Sequence, residues 1–477
     1  MKKTHLIIFF FFVYCFSNNL RSQYNVILNF DTINGLNPLG DLYNDGTYLY
    51  GMTNLGGDTS SNVCGFYGCG GIFKIKPDGT GYTKLIDLDF LTNGSNATGS
   101  LISDGVFLYG MTYGGGLNGY GTVFKIMPDG SGYQNLFNFN GGLNGSNPFG
   151  SLVFDGTYLY GMTERGGMYA VGTIFKIKPD GSSYLKLIDF GYNGYGSHPF
   201  GALFLDGIYL YGMTSGPYDN SNCNVTGCGN VFKLKTDGTG YQSILFFNNI
   251  INGITPKGSL ISDGTFLYGM TNSGGVNNSG TIFRIMPDGT NYFKLMDFAN
   301  DTLHGYQPFG NLLYYGVFLY GMTSGGGLYG NGTIFKIMPD GSGYNKLFDF
   351  NRSITGGYPQ GSLIFDGISL YGMTKLGGLS DAGTVFKFGM SVGMEDKFSD
   401  KSKLTIHPNP AYDLISITSS INISTIKLLN LTGQIVLSES VNSKQHHLQL
   451  QNFSNGIYFL EFQYTNGMTK IKKIIKN

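Results

Sequence analysis

Few groups in residues 23–390 could do chemistry, and one breaks the local pattern: Glu164, the only Glu in that stretch, lies beside Arg165, one of few Arg. Tyr169, Tyr192, Tyr195 and His198 follow closely, and His304 and Tyr306 form a second group further on. A carboxylate, a guanidinium, imidazoles and aromatic faces bind sugars or peptides, and the same groups serve general acid–base catalysis. Two readings result. In the first these residues hold a glycan or protein ligand. In the alternative Glu164 and His198 are the acid and base of an enzyme degrading extracellular polysaccharide or peptide. The first is favoured, because catalysis needs several singular residues converging at one point. No pair of carboxylates recurs as a glycosidase requires. No His/Asp/Glu cluster has metal-ligand spacing. Gly114-Gly115-Gly116 precedes a strand and opens no helix, so it is no phosphate cradle. No catalytic residue, metal or cofactor is therefore assigned.

These residues are conspicuous because everything around them repeats. Leu-Tyr-Gly-Met-Thr occurs seven times between residues 49 and 374, at intervals of 51 to 59. Each copy belongs to a unit of four short segments rich in Val, Ile, Phe, Tyr and Thr and bounded by Gly, Asp and Asn, the punctuation of strands. In the third unit these are a stretch ending at Ser151-Leu152, Tyr158 to Thr163, Thr173 to Ile177 and Tyr184 to Phe190. A repeat of this length with several strands predicts an all-β, seven-bladed β-propeller with four strands per blade. Asp-Gly pairs such as Asp45-Gly46 and Asp180-Gly181 suit the tight turns. The seventh unit lacks its fourth strand, and Tyr24 to Phe30 matches the missing copy, so the N-terminal strand is expected to close the last blade.

From the first-strand Leu to the second-strand Gly is nine residues in all seven units; from the second-strand Gly to the third-strand Phe is 14 in five, but 22 and 20 in the first and fourth. In an up-and-down blade the 2–3 loops and the crossovers share one face. That face is individual where the other is uniform, and Glu164, Arg165, the Tyr and the His all fall on it. Both lengthened loops carry a Cys pair, Cys64 with Cys69 and Cys223 with Cys228. In an exported chain such pairs suggest two local disulfides. One zinc shared by all four thiolates is disfavoured, because the first and fourth units stand too far apart in the ring.

Charged residues are only 13% of the chain and the formal net charge is zero, so neither nucleic acid nor an anionic membrane is indicated. Lys2 and Lys3, then an apolar run from Leu6 to Phe16, read as a signal peptide over 1–22. That run is too short to span a bilayer, and no second one follows, so no transmembrane anchor is expected. A lipid on Cys15 is disfavoured by the bulky Tyr14 before it.

After the repeat (23–390) and a polar linker (391–402), residues 403–477 read as a small Ig-like β-sandwich, with strands at Leu414 to Thr418, Ile426 to Asn430, Ile435 to Ser438 and Ile457 to Phe462. His407-Pro408-Asn409-Pro410, Gly433 within Asn430 to Gln434, Asn455-Gly456-Ile457-Tyr458 and Lys472-Lys473 come in the order of the type A C-terminal sorting domain of type IX secretion, which this segment resembles. The resemblance implies the type IX secretion machinery as a partner and a secreted or cell-surface location. The repeats resemble the choice-of-anchor, GloVer-type tandem units, which implies the propeller and an exported location but no activity.

Overall fold

The computed structural model describes residues 24–57, 62–191, 196–216, 229–390, 404–408, 411–429, 435–453, 456–465 and 469–476. The expected signal peptide and linker, Tyr192, Tyr195, Cys223, Cys228, Asn409, Pro410 and Gly433 lie outside them. The chain forms two compact units, Met1–Met390 and Ser391–Asn477.

In the first unit the described residues form seven four-stranded antiparallel sheets. The third is typical, with strands Val153–Phe154, Leu159–Thr163, Thr173–Ile177 and Leu185–Asp189. The second strand is buried along its whole length, because both faces of each sheet pack against a neighbour. Its glycine has a steric cause. Gly161 pairs with Phe175, whose ring lies across the Gly backbone so closely that a Cβ would stand 2.6 Å from Cζ. The same Gly–Phe pair recurs in every sheet, for example Gly110 with Phe124 and Gly372 with Phe386. The first strand lies two residues later than expected. Ser151 and Leu152 precede it, since Leu152 is buried and Ser151 is taken up by the neighbouring sheet.

The seventh sheet is assembled from both ends of the repeat. Ile364–Phe365, Ser369–Thr374 and Thr384–Gly389 are joined by Tyr24–Asn29, antiparallel to the last of them. Seven hydrophobic clusters fill the spaces between successive sheets. One of them holds Tyr371, Met373 and Val385 of the seventh sheet with Leu42, Leu49 and Phe73 of the first.

Two polar belts tie the sheets further. Ahead of each first strand the chain carries a Gly whose next residue donates its N–H to a side chain one sheet on. Asp41 donates to Ser100 Oγ (2.6 Å), Ser100 to Ser151 Oγ (2.8 Å), Ala202 to Ser259 Oγ (2.6 Å), Ser259 to Asn311 Oδ1 (2.5 Å), Asn311 to Ser362 Oγ (2.7 Å) and Ser362 to Asp41 Oδ1 (2.5 Å). At one step the oxygen is missing, because Ala202 faces Ser151. The second belt lies at the 3–4 turns. Lys74, Lys176, Lys233 and Arg284 each donate to a backbone carbonyl in the next sheet's turn, at 2.9 to 3.1 Å. Each also lies over an aromatic ring of its own sheet, at 4.6 to 5.5 Å, an arrangement that favours a partly desolvated cation.

The second unit is one five-stranded sheet. Where short separate strands were expected, Leu414–Leu429 and Ile435–Gln449 form a long hairpin. Bulges between Thr418 and Thr425 interrupt its register. Its two ends pair with different strands, Leu404–His407 at one and Gly456–Tyr464 at the other. Ile415, Ile417, Ile426, Leu428, Leu460 and Phe462 form one core, as a doubled-over ribbon requires.

Candidate functional site beside the seven-sheet cavity

Each Leu-Tyr-Gly-Met-Thr strand ends in a residue that pairs with the crossover leading into its own sheet. Glu164 donates its N–H to Asn147 O (3.1 Å), as Tyr113 does to Asn96 O (3.2 Å) and Ser215 to His198 O (3.2 Å). Glu164 is only 2% exposed, a costly place for a carboxylate. Burial raises its pKa. Arg165, whose Nε is 3.5 Å away, the Tyr113 hydroxyl bonded to it and the nearby charge of Lys257 all oppose that rise. Arg165 is half exposed, with its backbone paired to Ser146.

His198 is buried with φ of 54° and occupies the position of Asn96 and Asn147. Those Asn donate from Nδ2 to the carbonyl one sheet back, Asn54 O (3.2 Å) and Tyr113 O (3.1 Å). His198 makes the corresponding bond to the Glu164 backbone, while burial lowers its pKa. It fastens one sheet to the next. His304 likewise fills a slot held elsewhere by Asn: its carbonyl accepts the Tyr344 hydroxyl (2.7 Å), as Asn93 O accepts Tyr133 (2.6 Å) and Asn144 O accepts Tyr184 (2.8 Å). Its ring pairs with Asp301 at 2.8 Å. Tyr306 lies over Gly325, leaving no room there for a side chain. Tyr169 is half exposed over Gly191. Glu164, Arg165 and His198 are thus brought together, while His304 and Tyr306 belong to the sixth sheet's crossover.

Other members of the cluster were not anticipated. Ahead of each first strand, one residue before the Gly and after a Pro (Ala97 in the second sheet) faces a cavity of about 50 Å³, which all seven sheets line. Phe149, Phe200, Lys257 and Phe309 are among them. Phe149 meets Phe200 edge-on at 5.1 Å, Phe309 at 6.4 Å and Tyr113 at 6.2 Å. The Lys257 ammonium sits 3.1 Å above the Phe200 ring centre. Burial drops its pKa to about 8, against the pull of Glu164. The signal for Lys257 lay in the repeat itself, as the single cation at its position. The result is an aromatic-walled cavity with one cation on its lining, Lys257, whose charge couples it to the buried Glu164 and its neighbour Arg165. Aromatic faces and a cation can orient a polar ligand by stacking and charge-assisted hydrogen bonds. Among the described residues no cluster of His, Cys, Asp and Glu could hold a metal. In the lengthened loop of the first sheet Cys64 and Cys69 are joined in a disulfide.

The sheets and the C-terminal unit define an exported, all-β repeat protein. The chain belongs to the Gloeobacter/Verrucomicrobia repeat family, whose repeat matches residues 60–225 and 209–386. Residues 405–477 match the secretion system C-terminal sorting domain, so the chain is a type IX substrate delivered to the cell surface or released. No curated protein matches it in sequence. Among solved structures, a GH74 xyloglucanase from Xanthomonas campestris has a TM-score of 0.51 at 11% identity, over 84% of this chain and 59% of that one. PorZ, a surface component of the type IX secretion system of Porphyromonas gingivalis, has 0.47 at 15%, over 94% of this chain. The chain spans 60% of PorZ. At 11% identity the likeness to the xyloglucanase is one of fold alone. No helix among the described residues is long and apolar enough to cross a membrane.

Proposed function

We propose that residues 23–390 form a closed seven-bladed propeller whose loop face binds a glycan or protein ligand at the cell surface. The signal peptide (1–22), the linker (391–402) and an Ig-like sorting domain (403–477) complete this reading. Supporting closure are the cluster shared by the seventh and first sheets and the belt bond from Ser362 to Asp41. The binding reading rests on one observation above the others: the sole Glu of the repeat is buried beside Arg165, with Lys257 on Phe200. No local packing need explains a carboxylate where other sheets carry Asn54, Ser215 or Asn272.

Binding of glycan and protein arrays to the purified chain, with hydrolysis assayed in parallel, tests the reading. Arg165→Ala is expected to reduce binding at least tenfold with the melting temperature unchanged. The near-isosteric Glu164→Gln is expected to reduce it similarly with some loss of stability, since the Glu164 carboxylate is buried among its partners. Binding that survives both substitutions places the ligand elsewhere. A raised carboxyl pKa also suits a general acid. Turnover lost on Glu164→Gln would therefore replace the binding reading with the hydrolytic one.

A further inference from the structure

The loop face carries more exposed aliphatic surface than a soluble disc needs, and it is placed regularly. In the second blade Leu117 of the 2–3 loop and Leu91 of the crossover both point into solvent; in the third Met168 and Leu143 do so, in the sixth Leu328 and Leu303. A backbone bond holds the two segments of each pair together: Gly116 N–H to Phe90 O (2.7 Å), Gly167 to Gly142 (2.8 Å), Gly327 to Asp301 (3.1 Å). The fifth and seventh blades repeat the pairing. Across these five blades the paired side chains are 60 to 88% exposed. On the opposite face, four of the seven 1–2 turns carry one exposed aliphatic or aromatic tip in place of Thr, as at Ile208 and Ile368.

Singly exposed apolar residues need no explanation, whereas regularly placed pairs with a summed apolar area on the order of 1,000 Å² match one side of a stable interface. Local geometry does not ask for them. The turns are set by Gly, Asn and Asp, and the N–H groups of Leu117, Met168 and Leu328 are already satisfied by Asn138, Asp189 and Asp349. A partner engaging every pair at once must present apolar groups at the same angular spacing and radius. A second copy of this ring does so. The same loops mix acids (Asp89, Asp301, Asp381) with bases (Arg165, Arg352, Lys375), which suits a self-complementary contact and offers no basic girdle for an anionic lipid surface.

We propose that the protein ligand of the loop face is a second copy of this chain, the two propellers meeting rim to rim. The inference rests on the loop face being the binding face. Sedimentation equilibrium of the purified exported chain is expected to give a dimer. Leu117→Asp combined with Leu328→Asp should raise its dissociation constant by about a hundredfold or more, with the circular dichroism spectrum and melting temperature unchanged. Ile208→Asp combined with Ile368→Asp, on the other face, should leave the dimer intact. A monomer at all concentrations overturns the proposal. So does a dimer indifferent to the rim substitutions, or a monomer that cosediments with phosphatidylcholine vesicles through Leu117 and Leu328, which would give the rim to lipid. Array binding by the rim variant separates the two readings: if it still binds through Glu164 while the wild type never dimerises, the loop face stands as a binding face and only the self-partner falls.

Discussion

His198 looks singular in sequence and turns out to hold the place of an Asn, bonded to the backbone of the preceding sheet, while Lys257 hides inside a repeated Pro-x-Gly and turns out to line the cavity. Residue type alone distinguished neither, because a repeat assigns roles by position. Superposing the seven copies does distinguish them, and it shows Ala202 as the one gap in the belt of N–H bonds. Ala202→Ser should supply the missing oxygen to Ser151 and raise stability by about 0.5–1.5 kcal/mol, the net worth of an ordinary hydrogen bond; an unchanged urea midpoint would show that water already serves that N–H. Gly161→Ala should do the opposite, since its Cβ would meet the Phe175 ring. A loss of roughly 1–3 kcal/mol is expected, as for an overpacked core.

At the scale of the strand and the turn, most was legible. The fixed spacings located the second, third and fourth strands to within a residue or so, because a hairpin with a Gly in its turn leaves little freedom of register. The first strand and the C-terminal hairpin were misjudged for a shared reason. Their limits are set by partners elsewhere, a neighbouring sheet in one case and bulges in the other, which leave no local signal. The 1–2 turns carry a pH dependence. At Asp45, Asp104 and Asp366 burial would raise the carboxyl pKa, but the N–H groups of Tyr48, Phe107 and Ser369 and the hydroxyls of Tyr50, Tyr109 and Tyr371 outweigh it and leave all three lowered. A lowered carboxyl pKa stabilises the fold above the unfolded value near 4 and loses that contribution as pH falls through the folded one. The Asp turns should therefore add nothing to the pH dependence of the urea midpoint from pH 7 to 5 and lower it below pH 4, so that Asp104→Asn shows a shallower loss in the acid range than the wild type. An equal acid slope in that variant would place the titration elsewhere.

For the whole molecule the decisive strand is Tyr24–Asn29. Tyr24 stacks on Phe348 at 4.1 Å and Phe386 at 5.2 Å, and its hydroxyl reaches Thr355 O at 2.5 Å. Removing residues 24–29 should expose an edge and sharply lower solubility and melting temperature; a truncated chain as stable as the whole would mean that the sheets do not depend on closure. The strand's partner lies at Thr384–Gly389, about 360 residues later in the chain. Tyr24–Asn29 precedes every other strand of the seven sheets and is thus a latch that stays open until the seventh sheet is made. A chain broken off before Thr384 leaves Tyr24–Asn29 without its partner strand and stays marked as unfinished, so the seventh sheet acts as a gauge of the chain's length.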